Sequence, residues 1–164
     1  MNVQDNDKFK VKEVCQIGVV VKDLDQVVKD WTEKFGFGPW SFLETPGMRY
    51  AAVFVGPIEF ELVQPVEGKL QGEAGNSILD FLAKWGDGIH HVAFKVDDVQ
   101  SDVSKLAANG VKVIAQGGED YAYVQSGGPR STIFELMWRP DYDIIKKEGL
   151  QGFLNAKLKE KEAR

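Results

Sequence analysis

Apolar and polar positions alternate in two distinct rhythms along this chain, and the rhythms change in the same order twice. Residues 1–13 are polar and read as a loose lead-in, after which Val14 to Val21 is a β-branched run suited to a buried strand. Asp23 is placed to cap a helix. From there Leu24, Val27, Val28, Trp31 and Phe35 recur at helical spacing, with Gly36 at the C-cap. Three short aromatic or β-branched strands follow at roughly 38–44, 48–55 and 58–65, punctuated by Thr45-Pro46-Gly47 and Gly56-Pro57. Residues 66–88 read as a connection with a short helix carrying Ile78, Leu79, Phe81, Leu82 and Trp85, ended by Gly86-Asp87-Gly88. A strand at 89–96 and a helix at about 98–109 come next, with Val99, Val103 and Leu106 inward and Gly110 as cap; strands near 111–115, 120–125 and 131–138 complete the second series. The last stretch, 141–164, is predicted to be a helix with an imperfect stripe of Ile144, Ile145, Leu150, Phe153, Leu154 and Leu158, packing on the domain or on a second subunit.

The two series are copies of one unit. Gln16-Ile-Gly-Val-Val-Val-Lys-Asp-Leu-Asp returns as His91-Val-Ala-Phe-Lys-Val-Asp-Asp-Val-Gln, 75 positions on, and Glu61 within Phe60-Glu61-Leu62 returns as Glu135 within Phe134-Glu135-Leu136, 74 positions on. The pattern is therefore α+β, two βαβββ repeats at 14–65 and 89–138. They are expected to form one domain over residues 1–140, followed by a C-terminal helix at 141–164.

A chain of 164 residues with 43% apolar content can bury one good core and is short for two, so the copies should share it. A net charge of −5 and an isoelectric point near 5.1 argue against a nucleic-acid surface. No run of about 18 apolar residues is present to cross a bilayer. The opening Met-Asn-Val-Gln-Asp-Asn-Asp-Lys lacks the apolar stretch of a signal peptide, and the single Cys15 has no partner for an internal disulfide. A soluble, cytoplasmic protein is expected.

Strand alternation then sorts the chemistry. Gln16 shares a face with Gly18 and Val20, and His91 shares one with Ala93; Glu61 and Glu135 alternate with the apolar residues beside them. Four side chains able to ligate a metal would face one cavity while the opposite face packs on helices. His90 falls on the apolar face as a hydrogen-bonded packing residue. Glu59 shares Glu61's face and would be either the ligand in its place or a solvated edge charge; Glu61 is preferred because only it has Glu135 as its equivalent.

Gln16-Ile-Gly-Val and His91-Val-Ala-Phe opening the units, with Glu61-Leu-Val-Gln-Pro and Glu135-Leu closing them, resemble the vicinal oxygen chelate superfamily of glyoxalases, bleomycin-resistance proteins and dioxygenases. Gly86-Asp-Gly-Ile-His-His-Val-Ala-Phe-Lys-Val-Asp-Asp is especially close to methylmalonyl-CoA epimerases, while the order Gln, Glu, His, Glu matches one form of glyoxalase I. The resemblance implies a half-open mixed β-sheet barrel with flanking helices around a divalent ion (Zn, Ni, Co, Mn or Mg) held by Gln16, Glu61, His91 and Glu135. Such an oxygen-rich site with one imidazole suits a hard or borderline ion.

The resemblance also implies a lyase or isomerase that moves a proton next to the carbonyl of a thioester, hemithioacetal or other small carbonyl compound, with Glu135 as base and a homodimeric assembly. The glutamate expected in epimerases falls near Gly47 here; Glu44, three residues earlier, would replace it only if the loop is shifted. Arg49 and Arg130 would either grip an anionic substrate group or form surface salt bridges, and Lys157 to Arg164 reads as a solvated helix end. In the alternative of a metal-free, resistance-type protein, Trp40, Phe42, Tyr50, Tyr121 and Tyr123 would line a trap for an aromatic ligand. An extradiol dioxygenase fits less well, because Gln16 stands where its iron site needs a histidine.

Overall fold

The computed structural model describes residues 9–66, 68–70, 72–127 and 132–163, the side chain of Arg139 excepted. Strand β1 (Val14–Val20) leads to helix α1 (Leu24–Phe35), then β2 (Ser41–Glu44), β3 (Met48–Val55) and β4 (Ile58–Pro65). Helix α2 (Gly72–Trp85) carries the chain to β5 (Gly88–Val96), α3 (Val99–Ala108), β6 (Val113–Gly117), β7 (Tyr121–Gln125) and β8 (Ile133–Trp138), and α4 (Arg139–Glu162) ends it. Both repeats are thus βαβββ, as their sequences predict.

Local chemistry sets the boundaries. The Asp23 carboxylate accepts from the Gln26 amide to cap α1, Gly36 closes it at φ 72°, and Asp98 caps α3 through Ser101 in the same way. The strand expected from residue 38 begins only at Ser41: Pro39 has no amide to give to a ladder, and Phe37 and Trp40 turn back to stack on Trp31 at 5.2 and 6.4 Å. Helix α2 is longer than its apolar stripe suggested. The predicted start of β8 at 131 lies outside the described residues.

All eight strands form one sheet in the order β2-β3-β4-β1-β5-β8-β7-β6. Within each unit the first strand runs parallel to the last, β1 beside β4 and β5 beside β8. The units join through the antiparallel pair β1 and β5, so both halves of the sheet come from one subunit, and the sheet curls without closing. Its two faces carry different loads. On one, Val19, Val21, Leu24, Ala51 and Leu62 pack with α1, and Phe94, Val96, Val99, Val103 and Leu136 pack with α3. Leu62 and its repeat equivalent Leu136 are fully buried, each contributing roughly 1.5–3 kcal/mol of apolar burial. The other face is covered only at its rims, by α2 and α4, and leaves a cavity between them. Among the described residues no helix is long and apolar enough to cross a membrane.

Helix α4 breaks at Gly149 (φ 72°, ψ 178°) and changes direction over the sheet. Its tail does not read as the simple solvated end expected from the sequence. Lys157, only 15% exposed in its side chain, reaches Asp141 at 2.8 Å and Asp120 at 2.9 Å.

Candidate active site

The register of the sheet explains why residues so far apart in sequence meet. Gln16 stands opposite Glu59 on β4 and Ala93 on β5, and Ala93 stands opposite Glu135 on β8. One row along, Gly18 stands between Glu61 and His91, and His91 faces Ile133. The pseudo-symmetric counterpart of Glu61 is therefore Glu135, and that of Glu59 is Ile133. Gln16, Glu61 and Glu135 line the cavity floor. Glu59 lies beside it, fully buried, with one oxygen 3.4 Å from the Gln16 amide nitrogen and the other without a hydrogen-bond partner.

His91 is the hub. Its Nε2 lies 3.1 Å from Gln16 Oε1 and 3.1 Å from Glu135 Oε2, in a setting only 1% exposed. Burial alone would depress its pKa, but the Glu135 and Glu61 carboxylates win and hold it above the ordinary imidazole range. Burial and the neighbouring Glu135 push Glu61 up to about 7 against the opposing pull of His91, and burial with Glu61 raises Glu59 as well. So many acids on so small a floor repel one another unless a proton or a cation sits among them.

Strict alternation placed His90 on the opposite face, and the structure corrects this. Gly18 pairs with His91 but Val19 pairs with Ile89, so a β-bulge leaves His90 without a partner across the ladder and turns both imidazoles to one side. The two Nδ1 atoms are 3.0 Å apart, and His90 Nε2 meets Ser77 Oγ of α2 at 3.1 Å. The His90 ring also meets Phe81 edge to face at 5.3 Å. Burial lowers the His90 pKa to about 3, so the ring is neutral and shares a single proton between these two contacts. It remains a hydrogen-bonded packing residue, now packed behind His91.

Gly18 is what makes room. A Cβ at this position would overlap the imidazole of His91. Gly18→Ala is accordingly expected to displace His91 and to destabilise the fold by about 1–3 kcal/mol through overpacking; thermal unfolding and metal content of the purified variant check this, and wild-type values for both would refute the close fit.

Other expected site residues lie elsewhere. Glu44 is exposed and ion-paired with Arg49 at 2.9 Å; alternation on β2 sends its neighbour Leu43 into the cavity instead, and Thr45 beyond the strand lines it too. The loop shift that would bring Glu44 to the floor does not occur. Arg49 is held by Asp25 at 2.9 Å, by Glu44 and by Gln64, which fits the surface ion-pair alternative. Arg130 lies outside the described residues. Of the five aromatics, Tyr50, Tyr121 and Tyr123 line the cavity, whereas Phe42 is half exposed and Trp40 stacks beside α1 and donates to Thr32. Glu44→Gln is expected to leave metal content and turnover within about twofold of wild type, since exposed ion pairs contribute little; a larger loss would return Glu44 to the site.

Sequence reading missed the roof. Ala74 and Ile78 of α2, and Ile145, Leu150, Phe153 and Leu154 of α4, complete a cavity of about 350 Å³. The apolar stripe of α4 was visible in the sequence; the turn at Gly149 that aims it at the floor was not.

Among the described residues no three His, Cys, Asp or Glu side chains converge as a ready-made metal centre. The convergence here is of His91, Glu135 and the Gln16 amide, with Glu61 on the same floor. The donor types, one imidazole nitrogen among carboxylate and amide oxygens, fit a divalent ion.

A sequence profile of the Glyoxalase/Bleomycin resistance protein/Dioxygenase superfamily matches residues 15–126, and the chain belongs to that superfamily. The resemblance carried by the repeated motifs is thereby borne out. Among solved structures, a Streptomyces coelicolor methylmalonyl-CoA epimerase variant in complex with 2-nitronate-propionyl-CoA aligns with a TM-score of 0.64 at 22% identity, covering 79% of this chain and 98% of that one. Methylmalonyl-CoA epimerase from Mycobacterium tuberculosis aligns at 0.63 and 21%, covering 78% and 88%. A hypothetical protein from Bacillus halodurans aligns at 0.64 and 21%, covering 77% and 93%. At these identities the likeness is one of fold. A comparison with curated proteins finds no match.

Proposed function

We propose that this protein is a divalent-metal-dependent enzyme that transfers a proton next to the carbonyl of a small thioester, hemithioacetal or related compound, in the manner of an epimerase or a glyoxalase. The observation that carries the reading is His91 Nε2 lying 3.1 Å from both Gln16 Oε1 and Glu135 Oε2, two residues that line the floor of the cavity. Gln16, Glu61, His91 and Glu135 would hold the ion. When bound, the ion supplies positive charge that favours negative charge building on a substrate carbonyl oxygen.

The chain's own residues do the rest. Glu135 has one oxygen at His91 and, sitting on the cavity floor, can take a proton from the carbon beside the carbonyl and return it. The Glu59 carboxyl, accepting from the Gln16 amide, leaves the Gln16 oxygen turned to His91. His90, bridged to Ser77, keeps the His91 ring oriented behind the site. Apolar side chains of α4 cover part of the floor and lower the polarity around the reacting carbon.

One observation favours the second reading, a metal-free protein that traps a small ligand: His91 and Glu135 already pair directly at 3.1 Å and satisfy one another. Elemental analysis after purification without chelator, repeated after stripping and re-adding Mg, Mn, Co, Ni and Zn, separates the two. About one ion per chain supports the enzyme and leads to assays with epimerase and glyoxalase substrates; no uptake of any ion supports the trap.

A further inference from the structure

The cavity has an acidic floor under an apolar roof, and most of that roof comes from α4, which lies beyond residues 15–126 matched by the superfamily profile. Two polar contacts with the rest of the fold hold it there, and a third braces the helix across its own break. The Leu150 amide donates to Ser41 Oγ at 2.8 Å, just after the break at Gly149. A Cβ at Gly149 would come within 2.7 Å of that same hydroxyl, so the approach is already close. Farther along, Lys157 holds Asp141 at 2.8 Å and Asp120 at 2.9 Å, its ammonium resting over the rings of Trp138 and Phe153. Leu150, Phe153 and Leu154 are thereby pinned over the floor, facing Tyr50 and Tyr121 among the other lining residues.

We infer that α4 makes this cavity selective for a substrate whose reacting carbonyl carries a compact, uncharged hydrophobic group, aromatic or branched, seated against Phe153 and Leu154. The inference rests on the reading under Proposed function for the floor, and on α4 for the roof. Size follows from volume: about 350 Å³ is near the lower end of the roughly 300–1,000 Å³ typical of ligand sites. Charge follows from the lining. Among the described residues, Asp120 and the buried Asp141 also line the cavity and share Lys157 between them, so that ammonium is already committed and this part of the lining stays acidic. A second anionic group on the substrate would meet like charge, whereas an apolar group gains by burial.

Hydroxamates test this, because they present two neighbouring oxygens to a metal and differ only in the group attached. Against Co-loaded protein, benzohydroxamate is expected to bind at least about tenfold tighter than acetohydroxamate, in line with the selectivity that apolar pockets achieve. 4-Carboxybenzohydroxamate should lose that gain. Phe153→Ala is expected to remove most of the preference, and Leu154→Asp to remove it entirely; thermal unfolding identifies a variant that has lost its fold, and the other then decides. Equal affinity for the two uncharged hydroxamates, full tolerance of the added carboxylate, or a preference unchanged in the folded variants would overturn the inference.

The two readings fail separately. If no ion is taken up, the metal reading falls. The roof is then tested on the metal-free protein by saturation-transfer NMR with benzamide and acetamide: benzamide binding that weakens in the same variants sustains the inference, and its absence ends it.

Discussion

His91→Ala is expected to abolish metal retention while leaving the sheet folded. The imidazole is the single nitrogen donor of the proposed set and touches both Gln16 and Glu135. Removing it leaves a gap and a buried Glu135 without its partner, a penalty of about 1–3 kcal/mol, which a domain with several kcal/mol of stability survives. The substitution also leaves the packing of β5 on α3 through Phe94 and Val96 untouched. Metal content by elemental analysis, read beside far-UV circular dichroism, decides the matter. A folded variant with its full complement of ion would remove His91 from the ligand set, and with it the interpretation of the floor.

Glu135→Gln separates holding an ion from moving a proton. An amide oxygen can still donate a lone pair to a metal, but it cannot accept a proton at neutral pH. The variant is therefore expected to retain at least part of its metal while the exchange of the substrate's carbon-bound proton with solvent deuterium falls about 10²–10⁴-fold, the usual contribution of a general base. Proton NMR of the substrate in deuterated buffer measures the exchange directly. Wild-type exchange in a metal-loaded variant would shift the role of base to Glu61, the other carboxylate lining the floor.

Much of this was legible in the chain because repetition cancels noise. A single Gln16 or Glu61 says little, but offsets of 75 and 74 to His91 and Glu135 tie each to a counterpart, and the sheet register reproduces the pairing. Alternation sorted core from cavity correctly wherever the ladder is regular. It failed at His90, where one residue without a cross-strand partner reverses the parity of what precedes it; composition gives no warning of such a bulge. It could not settle Glu44, whose fate depended on the loop through Gly47 and on the pull of Arg49. Nor could the pattern show α4 as a roof, because a stripe of apolar residues says that a helix packs without saying on what. Two glycines, Gly149 and Gly152, fit a helix interior poorly, and the sequence does not say which of them turns the chain.

The seam between β1 and β5 has a consequence for assembly. Each repeat brings one residue of the proposed set from its first strand and one from its last, and the pairs meet across this seam, where Gly18 stands opposite His91, 73 residues on in the chain. Because the pairs come from different repeats, the floor is complete only when both repeats have formed and paired along this seam. A polypeptide nicked in the connection before α2 would yield two fragments, neither able to bind on its own. Recovery of binding on mixing them would count reassembled molecules, making the site a built-in gauge of whether the two halves have found one another.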